Sequence, residues 1–159
     1  MSLSHVDESG HARMVDVTEK PVTARSATAT GQVRMSREAF EAIRNNVIAK
    51  GDVLTVAQVA GITAAKRTGE LIPLCHPLGL DSIEVKTEAD SALPGVRIEA
   101  TIRVSGKTGV EMEALTAVTV ACLTVYDMVK AVDRSMVIEQ VRLISKTGGT
   151  RGDWIRPDE

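Results

Sequence analysis

Residues 96–104 alternate apolar and polar side chains without a break, in the sequence VRIEATIRV. Alternation with a period of two is typical of a β-strand that buries one face and exposes the other. Residues 82–88 alternate in the same way, and the intervening ADSALPG is typical of a turn. The two segments therefore predict a β-hairpin with one apolar face.

Two helices are predicted in the segment that precedes this hairpin. Ser36 is placed to cap the first helix, whose apolar face continues as far as Val47 before Gly51 ends it. The second helix covers residues 53–65 and is apolar nearly all round. A helix without a polar face is buried on several sides, either in the core or against another subunit.

The remaining elements complete a mixed order of strands and helices. Residues 27–35 and 137–145 predict the first and last strands, and residues 110–133 predict a long helix with apolar residues at helical spacing. The resulting order is β-α-α-β-β-α-β, a split β-α-β arrangement with one extra helix. We therefore predict the α+β class and a ferredoxin-like two-layer sandwich.

The chain is long enough for one domain with an apolar core, since it has 159 residues. We assign a single α+β domain to residues 25–147. Residues 1–24 and 148–159 are expected to be flexible unless a ligand or a neighbour orders them. The N-terminal residues contain no hydrophobic signal region, and we expect no apolar run long enough to span a membrane.

Composition argues against several classes of function. The only aromatic residues are Phe40, Tyr126 and Trp154, so stacking of single-stranded nucleic acid on aromatic platforms is not available. A net charge of -2 argues against coating a duplex, whereas small anionic ligands are compatible with it. Cys75 and Cys122 have no CxxC spacing, which predicts a reduced, cytoplasmic protein. We expect neither nucleic acid nor a membrane as a partner.

The segment KRTGELIPLCHPL, residues 66–78, carries the clearest chemical signal. Pro73 and Pro77 bracket the adjacent Cys75 and His76, and a proline on each side predicts an ordered, irregular turn. Histidine titrates near neutral pH, and such turns often carry function. A proline-rich connection with a half-buried histidine explains the same pattern, so the segment alone leaves both interpretations open.

Several cations lie where predicted elements begin or end: Arg25, Lys50, Lys66, Arg67, Lys107 and Lys146. Gathered on one edge, they would form a site for a polyphosphate. Cations at the C-terminal end of a helix also compensate its dipole, which is an equally simple explanation for Lys50 and Lys66. The SGKTG stretch around Lys107 lacks the spacing of a phosphate-binding P-loop and is weak support alone.

The long predicted helix carries charges at both ends. Asp127 and Lys130 share a face, about 60° apart, within the otherwise apolar TVYDMVKAV. We expect this pair to be partly buried and therefore suited to proton transfer. Glu111 and Glu113 are about 200° apart, so one site on one chain is not expected to use both. Acidic residues also favour a helix N-terminus for structural reasons.

Six sequence blocks occur in a specific order and spacing: MVDVTEKPVTARSATATG (14–31), KGDVL (50–54), AAKRTGELIPLCHPL (64–78), KTGVEMEALTAV (107–118), LTVYDMVKAVD (123–133) and KTGG (146–149). Together these blocks closely resemble the molybdenum cofactor biosynthesis protein C family. The resemblance extends over nearly the whole chain, from Met14 to Gly149.

The resemblance implies the activity of a cyclic pyranopterin monophosphate synthase. Such a lyase converts the GTP-derived 3',8-cyclo-7,8-dihydroguanosine triphosphate to cyclic pyranopterin monophosphate with release of pyrophosphate, an early step of molybdenum cofactor biosynthesis. It further implies a ferredoxin-like fold and a homo-hexamer, a trimer of dimers with active sites at the dimer interface. No cofactor is expected to be required, although magnesium on the triphosphate is a reasonable expectation, and we predict no protein metal site.

The resemblance also carries over to single positions. It implies that Asp127 is the catalytic aspartate, and we predict that Lys50, His76 and Lys130 are catalytic as well. Substrate contacts are predicted for Arg25, Lys66, Arg67, Leu74, Cys75, His76, Glu111, Met112, Glu113 and Lys146. Because Glu113 and Asp127 lie roughly 21 Å apart on one helix, we predict a composite site that takes Met112 and Glu113 from one chain and Asp127 and Lys130 from its partner.

Two other classes of function compete with this hypothesis. A non-catalytic, nucleotide- or polyphosphate-binding regulatory module of the same fold would also place cations at element ends, but it would not need Asp127 or His76. A metal-binding protein using Cys75 and His76 fails on spacing unless subunits share the site, because adjacent residues of one chain supply at most two ligands and a closed zinc site needs four.

Overall fold

The computed structural model describes residue 6 and residues 9–157, which are built around a five-stranded antiparallel sheet. The strands are β1 (Thr23–Arg34), β2 (Ser82–Asp90), β3 (Gly95–Gly106), β4 (Val137–Thr147) and β5 (Trp154–Ile155). The helices are α1 (Arg37–Arg44), α2 (Val53–Lys66), α3 (Thr68–Leu71) and α4 (Glu111–Val129). Helices α2 and α4 form the second layer, since α4 packs on β1, β3 and β4 and α2 packs on α4 and β2.

The sheet has the strand order β2-β3-β1-β4-β5. Strand β3 lies between β1 and β2, so the helical connection from β1 to β2 passes over one strand. That arrangement is the split β-α-β unit of a ferredoxin-like sandwich, and it confirms the predicted α+β class. The seven predicted elements occur in the predicted order, and the structure adds the short helix α3 and the short strand β5.

The core is formed by small and aliphatic side chains. The apolar face predicted for β3 is confirmed, because Val96, Ile98 and Val104 are all buried against the helices. Helix α2 approaches α4 closely at Gly61, where a methyl group would lie 3.0 Å from the carbonyl oxygen of Ala117. Small residues at the contact therefore set the spacing of the two helices.

Helix α4 is long and apolar enough to cross a membrane by length and composition alone, which the sequence analysis did not expect. Its apolar window is 56% buried inside the structure, between the sheet and α2. The central helix of a two-layer fold needs the same apolar composition, because it contacts other elements on more than one side. We therefore interpret α4 as a core helix.

Helix α1 ends earlier than predicted. The sequence favoured a helix up to Gly51, but α1 stops at Arg44, and Val47 is exposed. Asn46 adopts a positive φ of 52°, and the amides of Asn46 and Val47 donate to the carbonyls of Ile43 and Ala42. These two hydrogen bonds form a Schellman motif, in which asparagine takes the left-handed position that glycine usually occupies.

Helix α2 is buried on one side only within a single chain. Ala57, Gly61 and Ala65 are buried, whereas Val56 and Val59 are 42% and 56% exposed. The expectation that α2 is buried on several sides therefore fails within one chain. Burial of its outer face against another subunit stays a prediction.

The C-terminal residues contain a strand that the sequence pattern did not reveal. Trp154 and Ile155 pair with Lys146 and Ser145 of β4, and the Arg156 side chain donates to the carbonyl of Leu143. A two-residue strand is too short to show periodicity. The flexibility of the two chain ends stays a prediction.

Gly31 on β1 is predicted to be essential for the close approach of α4. A methyl group at Gly31 would lie 2.6 Å from Cγ1 of Val118 on α4, and 3.1 Å from Cγ2 of Val141. Because overpacking a filled core costs about 1–3 kcal/mol, we expect Gly31→Ala to lower the free energy of unfolding by that amount in urea denaturation. Gly79→Ala is the matched control, since nothing lies within 4 Å of its added methyl group. Equal midpoints for the two variants would contradict the proposed packing.

Candidate active site

The topology gathers several chain ends at one edge of the sheet. The pairs Thr23 with Gly106 and Ser26 with Thr147 show that β3 and β4 end where β1 begins. Four residues separate the end of β3 from the beginning of α4, which lies at the same edge. The turn before β2 also reaches this edge, because its residues Leu74, Cys75 and His76 line the cleft described next. A cleft of about 340 Å³ lies there, lined by Val15, Val17, Lys20, Arg25, Leu74, Cys75, His76, Leu78, Lys107, Thr108, Gly109, Glu111, Met112, Glu113, Lys146, Gly148, Gly149, Thr150 and Arg151.

Cations dominate the charge of this cleft. Two acidic side chains line it, Glu111 and Glu113. Five basic side chains line it as well: Lys20, Arg25, Lys107, Lys146 and Arg151. The Arg25 side chain donates from Nε to the carbonyl of Gly106 at 3.0 Å, which fixes its direction. Lys146 Nζ lies 3.5 Å from Oε1 of Glu111. The excess of positive charge suits a polyphosphate.

A glycine loop packs directly on Arg25. Gly148 and Gly149 both have positive φ, 84° and 81°, which non-glycine residues rarely adopt. A methyl group on Gly149 would lie 2.2 Å from Nη1 of Arg25. Gly148 and Gly149, which follow β4, therefore cover the arginine with backbone, and a larger residue at Gly149 would displace the guanidinium.

Glu113 is the most perturbed acid in the cleft. Its side chain is buried, with 4% of the residue exposed. Burial raises the pKa of Glu113 to about 7, against a smaller lowering from a hydrogen bond with its own backbone. Burial also raises the pKa of the neighbouring Cys75 thiol, and the charge of Glu113 adds to that effect. Near neutral pH, Glu113 can therefore both donate and accept a proton.

The expectation that one site cannot use both glutamates is wrong. Glu111 and Glu113 both line the cleft, although they point to opposite sides of α4. The cleft lies at the beginning of the helix, where the residues preceding it, Lys107 to Gly109, also form the wall. A cavity at the end of a helix can be reached from both sides of its first turn, which angular separation alone does not reveal.

The turn that contains His76 is ordered and irregular, as predicted. It follows the short helix α3, and Gly69 of that helix packs against Pro77, where an added methyl group would lie 3.2 Å from the Cα atom. His76 is half-buried, and its Nε2 atom lies 2.7 Å from the carbonyl oxygen of Val15. The histidine thus joins the turn, the cleft and the N-terminal segment.

A second group of charges lies at the other end of α4. Asp127 binds two lysines, with Lys50 Nζ 2.6 Å from Oδ2 and Lys130 Nζ 2.6 Å from Oδ1. Hydrogen bonds from Lys130 and then Lys50 lower the pKa of Asp127 to about 2. We call these residues the Lys50–Asp127–Lys130 cluster. The carboxylate of Asp127 is therefore ionised at every physiological pH.

The expected partial burial of the Asp127–Lys130 pair is wrong for the single chain. The side chains of Asp127 and Lys130 are each 53% exposed, and that of Lys50 is 50% exposed. The neighbouring residues Met128 and Val129 fill the core instead. Asp127 lies on the side of α4 that faces away from the sheet, so an apolar sequence context did not imply burial there.

Most of the predicted site residues form two separate groups in the structure, one in the cleft and the other in the cluster. Eight predicted residues line the cleft: Arg25, Leu74, Cys75, His76, Glu111, Met112, Glu113 and Lys146. Lys50, Asp127 and Lys130 do not line it. Lys66 and Arg67 line neither the cleft nor the cluster, and Arg67 instead pairs with Glu70 at 3.0 Å.

Several cleft residues were not among the predicted site residues. Val15, Val17 and Lys20 lie in the block of residues 14–31 that carries the family resemblance, but the segment has no periodicity and none of the three was singled out. Lys107 was predicted only as one of the cations of a polyphosphate site, and Thr150 directly follows the KTGG block.

The Cys75–His76 metal hypothesis gains no support from the structure. Among residue 6 and residues 9–157, no group of three or more His, Cys, Asp or Glu side chains is arranged to hold a metal ion. Both cysteines, Cys75 and Cys122, are free thiols.

The raised pKa of Glu113 predicts a pH-dependent stability. The unfolded chain ionises this carboxyl near its ordinary pKa of 4.5, whereas the folded chain retains the proton until about 7. Stability is therefore lost as the pH rises through that window. We expect Glu113→Gln to match the wild type at about pH 4 and to exceed its free energy of unfolding by roughly 1–3 kcal/mol at about pH 8. Urea denaturation at the two pH values measures this, and an equal difference at both would contradict the raised pKa.

Comparison with known proteins identifies the family. A family model described as MoaC family matches residues 14–149. A protein named cyclic pyranopterin monophosphate synthase from Chloroflexus aurantiacus is 59% identical over 155 residues, covering 98% of this chain and 95% of that protein. Proteins of the same name from Methylobacterium sp. and Desulfitobacterium hafniense are 60% and 57% identical, covering 96% and 99% of this chain and 96% of each relative.

The matched range agrees with the six sequence blocks, which also begin at Met14 and end at Gly149. A match over most of the chain, with relatives aligned along nearly their full length, confirms the resemblance. The chain belongs to the MoaC family.

Proposed function

We propose that this chain is a cyclic pyranopterin monophosphate synthase that acts in molybdenum cofactor biosynthesis. Its substrate would be 3',8-cyclo-7,8-dihydroguanosine triphosphate, and its products cyclic pyranopterin monophosphate and pyrophosphate, which makes it a lyase. The observation that carries this proposal is the cleft, where five cations lie beside a buried carboxyl and a histidine. Membership of the family gives the cleft its chemical context.

The cations suit the triphosphate and the leaving pyrophosphate. Negative charge builds on the leaving group as the cyclic phosphate closes, and fixed positive groups stabilise that charge. Arg25 is held by Gly106 and covered by the glycine loop, so its guanidinium is already oriented before substrate binds. Lys146 and Lys107 lie in the same cleft and would neutralise further phosphate oxygens.

Proton transfer is assigned to groups of opposite character. Glu113 has a pKa of about 7 and can exchange a proton near neutral pH, and the imidazole of His76 lines the same cleft. Asp127 is ionised and holds the ammonium groups of Lys50 and Lys130 in place, and we assign to one of these lysines the proton that is given to the substrate. Opening and reclosing the base ring requires such transfers.

The composite site is part of the proposal. Helix α4 is continuous from Glu111 to Val129, so Glu113 and Asp127 are roughly 21 Å apart and one substrate cannot contact both within one chain. A stripe of exposed residues connects the two ends along the same side of α4: Met112, Thr119, Leu123, Asp127 and Lys130. Leu123 is 56% exposed and Met112 39%, although both are apolar.

A twofold-related chain packed antiparallel on this stripe would cover the apolar side chains and bring the partner's cluster to the cleft. The exposed Val56 and Val59 of α2 offer further apolar area for subunit contacts. A homo-hexamer, built as a trimer of dimers, is the assembly we propose.

Magnesium would enter with the substrate rather than through a protein site. Triphosphates carry magnesium on their own oxygens, and the ion usually keeps several waters. The cleft needs no dedicated ligand set for an ion bound in this way, and no other cofactor is proposed.

The direct test is incubation of the purified protein with the cyclised GTP derivative, followed by detection of pyrophosphate and the pterin product. Release of both supports the enzyme. Tight retention of the nucleotide without turnover would overturn it in favour of a regulatory binding module.

Loss of the cluster is predicted to abolish most turnover. Asp127→Asn and Lys130→Ala remove groups assigned to acid-base work, so each should lower kcat by about 10²- to 10⁴-fold in a pyrophosphate assay. Circular dichroism should show an unchanged fold, because the side chains are exposed. Glu41→Gln is the matched control, since Glu41 also forms an exposed i,i+3 ion pair, with Arg44 at 3.2 Å. Near-normal turnover in Asp127→Asn would refute its role.

Complementation tests the composite site. Glu113→Ala damages the cleft and Asp127→Asn damages the cluster, so homo-oligomers of either variant should be inactive. In mixed oligomers, one interface can combine an intact cleft from one chain with an intact cluster from its partner. We therefore expect part of the turnover to return on co-assembly, with mixed oligomers verified by differential tagging and light scattering. Verified mixed oligomers without activity would show that each site belongs to a single chain.

A further inference from the structure

The N-terminal segment Arg13–Lys20, here called the strap, is bound to the cleft through its backbone. The carbonyl oxygen of Val15 lies 2.7 Å from Nε2 of His76, and the carbonyl oxygen of Thr18 accepts a hydrogen bond of 2.7 Å from Lys107 Nζ. Val15, Val17 and Lys20 also line the cleft. The strap therefore forms one wall of the cleft and contacts two of its polar side chains.

The strap has its own local structure. The amide of Thr18 donates to Oδ1 of Asp16 at 2.8 Å, and the amide of Lys20 donates to the carbonyl of Val17 at 3.0 Å. The second turn contains Thr18 and sets the direction of its carbonyl, and the first turn begins directly after Val15. The hydrogen bonds that the Asp16 carboxylate accepts from Thr18 also lower the pKa of Asp16, so the first turn is kept at neutral pH.

The contact with Val15 determines which nitrogen of His76 carries hydrogen. A backbone carbonyl can only accept a hydrogen bond, so Nε2 must be the donor. A neutral imidazole has one N–H group and one nitrogen with a lone pair. Nδ1 of His76 therefore has the lone pair, and within the described part of the chain it has no hydrogen-bond partner.

We propose that Val15 is a positioning residue, whose carbonyl holds His76 in the Nε2–H form so that Nδ1 is the ring atom that moves a proton in the cleft. The inference rests on the proposed function in assigning that proton to the substrate. Nδ1 takes a proton from the substrate, which leaves an imidazolium that still donates from Nε2 to Val15. The same proton returns from Nδ1 in a later step, so no other reactant is needed.

The contact with the Val15 carbonyl also stabilises the imidazolium form of His76. A hydrogen bond from an imidazolium is stronger than one from a neutral ring, because the donor carries charge. The bond to Val15 therefore strengthens when Nδ1 takes its proton, and it keeps the ring from rotating between the two transfers. The strap thus acts on the reaction through His76 without touching the reacting atoms.

Nitrogen-15 NMR of the full chain tests the ring directly, without substrate. The chain has three histidines, and the signals absent from His76→Gln identify those of His76. At a pH where the ring is neutral, we expect a single form with hydrogen on Nε2 and a lone pair on Nδ1. We also expect the Nε2 proton to exchange slowly with water. An Nδ1–H form, or a mixture of both forms, would overturn the proposal.

Two matched substitutions test the strap. The amide nitrogen of glutamine reaches about as far as Nε2, so His76→Gln keeps a donor for Val15, whereas His76→Asn is too short to reach it. Trypsin cleavage after Arg13 requires release of the strap and so follows its open population. We expect cleavage in His76→Asn to be about fivefold faster than in the wild type, the change expected from one lost hydrogen bond, and cleavage in His76→Gln to be unchanged. Equal rates in both variants would overturn the strap contact.

Measurements of turnover distinguish a failure of this inference from a failure of the proposed function. Both variants lack Nδ1 as a base, so turnover should fall in both while KM changes little in His76→Gln, which keeps the cleft wall closed. Normal turnover in His76→Gln would overturn the role of Nδ1 while the wild type still produces pyrophosphate. Failure of the wild type to produce pyrophosphate would overturn the proposed function alone, because the NMR and proteolysis results do not depend on turnover.

Discussion

The close packing of α4 against β1 is the constraint on which the rest of the structure depends. Gly31 lacks the side chain that would collide with Val118, and Gly61 allows α2 to approach the carbonyl of Ala117. Close-packed interiors transmit small displacements, because they contain few voids to absorb them. Since α4 carries Glu113 at one end and Asp127 at the other, its position sets the geometry of the cleft and of the cluster together.

The two ends of α4 place carboxyl groups in opposite environments. At the beginning of the helix, burial raises the pKa of Glu113 to about 7. At its end, two exposed lysines lower the pKa of Asp127 to about 2. Two acids on one helix are thus prepared for different work, one to exchange protons and the other to remain charged. The strap acts on a third ionisable group, because the carbonyl of Val15 accepts a hydrogen bond from Nε2 of His76.

Much of the fold and part of the site could be predicted because they follow from local patterns. Alternation along β3 identified its buried face, and the spacing of apolar residues identified the order of the seven predicted elements. The end of α1 was missed, because asparagine at position 46 takes a left-handed conformation usually expected of glycine. The burial of Asp127 was predicted wrongly, because an apolar sequence neighbourhood does not determine which side of a helix faces the sheet.

The sequence by itself determined the order of strands and helices, the apolar faces that form the core, and membership of the family. These properties depend on residue type and spacing along the chain, which are fully present in the sequence. Only the tertiary structure decided that Glu111 and Glu113 share one cleft, that Val15 contacts His76, and that Lys50 pairs with Asp127. Those properties depend on contacts between distant segments, and a periodic pattern cannot encode what covers the end of a helix or which carbonyl meets a side chain.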